Sequence, residues 1–69
     1  MNKYLIKLFT KSKRQIEVRI KSDKNFDSIK KELIDKIKIK DDYRTIEHSD
    51  SFQEVIFNSE IEGFEILKY

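Results

Sequence analysis

Residues 15 to 20 read Gln-Ile-Glu-Val-Arg-Ile. Side chains alternate across an extended chain, so Ile16, Val18 and Ile20 share one face and Gln15, Glu17 and Arg19 the other. This is the pattern of a strand with one face on a core and one in water. Upstream, residues 4 to 9 (Tyr-Leu-Ile-Lys-Leu-Phe) read as a partner strand. The polar stretch Thr10 to Arg14 is short enough to close a hairpin between them, although it lacks glycine. Downstream the period changes from two to that of a helix. Asn25 stands where an N-cap is wanted, Asp27 falls in the first turn, and Phe26, Ile29, Leu33 and Ile37 recur at helical spacing with Ile34 beside them. Lys30, Lys31, Asp35 and Lys38 lie opposite. The helix is predicted to end by Lys38, with Ile39 tucked back against the core.

Tyr43 to His48 and Glu54 to Phe57 predict two further strands around the polar turn Ser49–Asp50–Ser51. Asn58–Ser59–Glu60–Ile61 predicts a tight turn that drops Ile61 into the core. Gly63, the only glycine, then opens a last strand with Phe64, Ile66 and Leu67. One glycine and no proline argue against long flexible loops. The expected architecture over residues 1–69 is a single α+β domain, an antiparallel sheet with one helix packed on one face, in the order β-β-α-β-β-β.

The hairpin, the cap at Asn25, the stripe Phe26, Ile29 and Leu33, and the following Ile39 resemble the first half of a ubiquitin-like β-grasp domain. The resemblance covers about 40 residues and implies a helix lying across the hairpin's sheet. The chain closes on Lys68–Tyr69 with no Gly-Gly pair, so conjugation to other proteins is not expected. A second likeness, through Val55–Ile56–Phe57–Asn58, Ile61 and Phe64–Glu65–Ile66–Leu67, is to short uncharacterised proteins of phages of low-GC bacteria. Neither resemblance assigns a functional residue.

Sixty-nine residues lie near the lower limit for independent folding. A domain this small buries roughly 60% of its unfolded surface, and its core supplies only about 3–5 kcal/mol of net stability. With no cysteine there is no disulfide and no thiolate chemistry. Nothing marks an oxidising compartment or a membrane segment, so a cytoplasmic location is expected. Eleven Ile, twelve Lys and no Ala match an AT-rich coding source, such as a low-GC bacterium, its phages or its mobile elements.

Charge is sorted along the chain. Residues 1–40 hold thirteen Lys and Arg against five acids, a balance of +8, whereas residues 41–69 hold two against eight, a balance of −6. Two partner classes follow. The basic segment offers phosphate contacts through Lys11, Lys13, Arg14, Lys30 and Lys31, with the salt dependence that counterion release imposes. Arginine is scarce, so base-specific readout is not expected. The plainer reading is a solvated surface whose lysines pair with the acidic strands; with the end strands adjacent, Lys3 and Lys7 face Glu62 and Glu65. Such exposed pairs contribute roughly 0–1 kcal/mol each.

The apolar residues point elsewhere. If Tyr4, Ile6 and Leu8 face the helix, Leu5 and Phe9 face away; if Phe64 and Ile66 face in, Leu67 and Tyr69 face out. Leu5, Phe9, Leu67 and Tyr69 would then form an exposed patch of the kind that marks a partner or dimer interface. The alternative is a curled sheet that buries both faces.

His48, the only histidine, has only local acids near it in sequence. A metal site needs converging ligands and a triad needs groups that meet in space, so a solvent-exposed histidine is expected. The acids Asp41, Asp42, Glu47, Asp50, Glu54, Glu60, Glu62 and Glu65 read first as solubilising. No glycine loop for phosphates is present, and the chain is expected to be too short for a sheltered cleft of ~300 Å³ or more. No enzyme activity, cofactor, metal or small-molecule substrate is therefore expected. The expectation is a protein-binding module, an accessory or inhibitory protein of a phage or mobile element. Non-specific nucleic-acid binding is the alternative, and head-to-tail self-association of basic on acidic part is a third reading.

Overall fold

The structure is a computed structural model describing all residues from Met1 to Tyr69. Strands β1 (Asn2–Thr10) and β2 (Gln15–Ser22) form the expected hairpin, in register from Asn2 opposite Ser22 to Phe9 opposite Gln15. The missing glycine is replaced by two local devices. Lys13 takes the left-handed conformation at φ 68°, and its N–H bonds the Thr10 carbonyl at 3.0 Å. Buried Thr10 also accepts the Arg14 N–H on its Oγ1 at 3.0 Å. A three-residue loop ending in a left-handed residue is a standard hairpin closure.

Helix α1 (Phe26–Ile37) follows. The Asn25 side chain accepts from Ser28 N at 2.9 Å, satisfying one of the orphan donors of the first turn. Ile29 and Leu33 are buried, and Ile34 and Ile37 half-buried. Phe26 is partly exposed, with its ring 6.4 Å from that of Tyr4.

The second half holds β3 (Tyr43–Ser49), β4 (Phe52–Phe57), a 3-10 turn (Asn58–Glu60) and β5 (Ile61–Lys68). β5 runs antiparallel along β1, with Leu5 opposite Leu67 and Lys7 opposite Glu65. The strands divide into two antiparallel sheets, β2-β1-β5 and β3-β4. Neither ribbon strand pairs with β2 or β5, the two edge strands of the larger sheet, so the β3-β4 ribbon joins through its side chains instead. Ile56 enters the core with Tyr4, Ile6, Leu8, Ile29 and Leu33, and Ile46 packs against it. Ile16 and Ile61 complete the core. The helix and ribbon together cover the inner face of the three-stranded sheet over Tyr4, Ile6, Leu8 and Ile16 but leave Val18 and Ile20 half-buried.

Asn58 ties the two halves. It is 2% exposed, and its Nδ2 donates to the carbonyls of Lys36 and Ile39 at 2.9 Å each. Its backbone N–H donates to Asp42 O, also at 2.9 Å. This anchor overturns the expectation for Ile39, whose side chain is 56% exposed. Its carbonyl also accepts from Asp42 N at 3.2 Å, so hydrogen bonds hold the backbone here while the side chain points outward. The Lys3–Lys7 pairing is corrected in part: Lys7 stands opposite Glu65, but no ion pair closes within 4.0 Å. Glu62 sits in the register shift after Phe9, and Lys3 meets Tyr69 through a backbone bond of 3.0 Å.

Candidate functional site

Alternation along β1 sends Tyr4, Ile6 and Leu8 inward and Leu5, Lys7 and Phe9 outward. On β5, Phe64 and Ile66 point in and Leu67 out. The four expected patch residues therefore share the outer face of the three-stranded sheet, without forming one patch. Leu5 and Leu67 are direct cross-strand neighbours, with Tyr69 following at the strand end. Phe9 lies four residues along β1, about 13 Å away, beyond the charged row Glu17–Lys7–Glu65. Leu67 and Tyr69 are 47% and 62% exposed, whereas Leu5 and Phe9 are half-buried. Arg19 and Gln15 stand opposite them on β2, and long polar stems cover apolar neighbours.

A larger apolar surface lies on the outer face of the β3-β4 ribbon. Tyr43 stands opposite Phe57 and Thr45 opposite Val55. The Tyr43 and Phe57 rings meet edge to face, with centroids 6.1 Å apart. Tyr43, Val55 and Phe57 are each 54–56% exposed. The signal for this face is present in the sequence. Val55–Ile56–Phe57 is apolar on both faces of a strand, so burying Ile56 leaves its neighbours outside.

The basic residues do not converge. Arg14 Nη2 donates to Glu54 Oε2 at 2.7 Å, so it is already paired. Lys11 and Lys13 lie in the turn after β1, whereas Lys30 and Lys31 are exposed on a helix whose start packs beside Tyr4.

His48 is exposed, as expected. Its ring stacks on Phe52, with centroids 4.6 Å apart, and its Nε2 lies 2.7 Å from Glu54 Oε1. No group of three or more His, Asp or Glu side chains is arranged to hold a metal ion. The Arg14 hydrogen bond first, and then that of His48, hold the Glu54 carboxyl below its ordinary pKa. A depressed carboxylate pKa stabilises the fold above the unfolded-state value, and the benefit is lost as pH falls through the folded-state value. Glu54→Gln is therefore expected to melt earlier than the parent at pH 7. The gap should narrow as the solution is acidified below the ordinary carboxylate range, as thermal melts followed by circular dichroism will show.

The expectation about cleft size is overturned. A groove of about 420 Å³ opens between the sheets beneath α1, because the two-stranded ribbon covers only part of the inner face and leaves Val18 and Ile20 half-buried. No helix is long and apolar enough to cross a membrane. Comparison with known families, curated proteins and solved structures gives no match to this chain.

Proposed function

We propose that this chain is a non-enzymatic protein-binding module whose main contact surface is the outer face of the β3-β4 ribbon. The observation that carries this reading is the cluster of Tyr43, Val55 and Phe57, aromatic and aliphatic groups held half in water on a paired ribbon. Nothing in the core requires them outside, and aromatic anchors of this kind dominate protein interfaces. Glu47, which shares this face by alternation, and Asp41 and Asp42 just before β3 supply acidic surroundings, so the fitting partner presents an apolar centre with a basic rim. Leu5, Leu67 and Tyr69 form a second, smaller contact on the opposite sheet. The Ala-free, Lys- and Ile-rich composition supports a source in a phage or mobile element, and with it an accessory or inhibitory role.

Val55→Lys with Phe57→Lys tests the reading. Both side chains point away from the core, so Val55→Lys is expected to alter stability by no more than about 0.5 kcal/mol and Phe57→Lys, which also loses the Tyr43 ring contact, by about 0.5–1.5 kcal/mol. Retention of the bound protein on the immobilised chain is expected to disappear, whereas Leu5→Glu with Leu67→Glu should weaken it less. Full retention by the Val55→Lys, Phe57→Lys variant would overturn the reading. So would capture of nucleic acid alone, released by salt and lost on removing Lys11 and Lys13. A solution mass that falls with salt, with no foreign protein bound, would replace it with head-to-tail self-association.

A further inference from the structure

The groove beneath α1 lies on the other side of the ribbon from that contact surface. Its floor and walls are apolar, with Val18 and Ile20 from β2, Ile29 and Leu33 from α1, and Ile46 from β3. Two strand edges border it. Ile20, Lys21 and Ser22 all line it, as do Arg44, Thr45 and Ile46. Side chains alternate along a strand, so three consecutive lining residues mean that the backbone edge itself forms the wall.

The free backbone groups follow from the pairing. The Tyr69 N–H bonds the Lys3 carbonyl, so the odd-numbered residues of β1 turn their backbone groups to β5 and the even-numbered ones to β2. On β2, Ile16, Val18 and Ile20 are then bonded inward, and Glu17, Arg19 and Lys21 present N–H and C=O groups at the open edge. The Asn58-to-Asp42 bond sets the same parity on the ribbon and leaves Thr45 and Glu47 facing outward. Two unpaired edges thus border one apolar trough.

The rim is cationic. Lys36 and Arg44 line it without an ion-pair partner, and Lys21, whose side chain alternates to the other face of β2, stands unpaired at the same edge. The single acid, Glu32, is held by Lys24 at 2.6 Å. Arg44 Nε is shielded from solvent and has no acceptor.

We propose that this groove receives an extended acidic peptide segment that adds to the free edge of β2 as a new strand. Its backbone pairs with Glu17, Arg19 and Lys21, and its apolar side chains face the groove over Ile29, Leu33 and Ile46. Its carboxylates, on the other face of the added strand, lie beside Arg19 and Lys21. The unpaired Lys36 and Arg44 beside the groove add to the attraction for an acidic segment. Strand addition supplies affinity through main-chain bonds and specificity through alternate side chains. Self-pairing of two β2 edges centred on Arg19 would set Glu17 opposite Lys21, so a doubled solution mass with the β2 amides protected in the absence of peptide would overturn the proposal in favour of a second copy.

The probe is a synthetic peptide, Glu-Val-Glu-Val-Glu-Val-Glu with blocked ends, titrated into the full chain and followed by amide NMR and hydrogen exchange. The amides of Glu17, Arg19 and Lys21 are expected to become protected, while those of Val18 and Ile20 stay as they were. N-methylation of alternate peptide nitrogens should weaken binding about tenfold or more, since main-chain bonds hold the strand. Arg19→Gln with Lys21→Gln, both at exposed positions, should weaken it several-fold, as should replacing the peptide's Glu by Lys. Equal binding of the N-methylated peptide, or no protection along β2, overturns the proposal. Decanoate shifting the same groove signals and displacing the peptide, with the edge amides unprotected throughout, would assign the groove to small amphipathic acids instead. These readouts are independent of the Val55 and Phe57 variants, so either site can fail alone.

Discussion

Tyr4→Ala is expected to leave most of the chain unfolded at 25 °C. Tyr4 is fully buried on β1, packs against Phe26 at the start of α1, and donates its hydroxyl to the Lys24 carbonyl at 2.6 Å. It thus fixes where the helix begins as well as filling the core. Truncating a buried aromatic to Ala costs about 3–5 kcal/mol, which equals the whole margin of about 3–5 kcal/mol for a scaffold of this size. Tyr4→Phe separates packing from the hydrogen bond. The Lys24 carbonyl keeps its bond from Asn2 Nδ2 at 3.1 Å, so that loss should be only about 1 kcal/mol. Urea titrations of the three proteins check both values. A Tyr4→Ala midpoint close to the parent's would mean that the core does not depend on this residue.

The second large effect is expected at Asn58. Asn58→Asp replaces an amide that donates to two carbonyls with a carboxylate that faces the same two oxygens. A buried charge without a partner costs about 3–5 kcal/mol, so the variant should be largely unfolded at pH 7. The folded-state pKa of the new carboxyl would be raised, since burial and the two carbonyls favour its protonated form. Its sign is therefore opposite to that of Glu54. The contribution is complete below the unfolded value of about 3.9 and is lost as pH rises through the folded value. The stability gap between Asn58→Asp and the parent should narrow as pH falls from 7 to 4 in urea titrations. A gap independent of pH would show that the side chain is not enclosed.

Much of the fold is legible in the chain because its signals are local. Ile16, Val18 and Ile20 specify a half-buried strand by parity alone, and Asn25 with Ile29 and Leu33 specifies both the start and the buried stripe of α1. The role of Asn58 is hidden because its partners, Lys36 and Ile39, lie 22 and 19 positions away, and an Asn after a strand reads simply as a turn residue. The same absence of long-range information misplaces Ile39, apolar in character yet held outside by its own backbone bonds. The division into two sheets is not legible either, since no residue pattern states which strand will take the second edge of β1.

The candidate surfaces divide the same way. Parity places Leu5, Phe9, Leu67 and Tyr69 on one face, but only the register reveals the row Glu17–Lys7–Glu65 that interrupts them. Parity applied to Val55–Ile56–Phe57 points to the ribbon face once Ile56 is known to be inside. The groove follows from the sheets not closing on one another, which is a property of the assembled chain and not of any segment.

A photoreactive phenylalanine analogue placed at position 57 probes the ribbon face most directly, with the same group at Lys31, on the exposed side of α1, as the control. Irradiation in host extract is expected to yield one discrete protein adduct from position 57 and none from position 31. Equal labelling from both positions, or an adduct from position 31 alone, would contradict a binding surface at Tyr43, Val55 and Phe57.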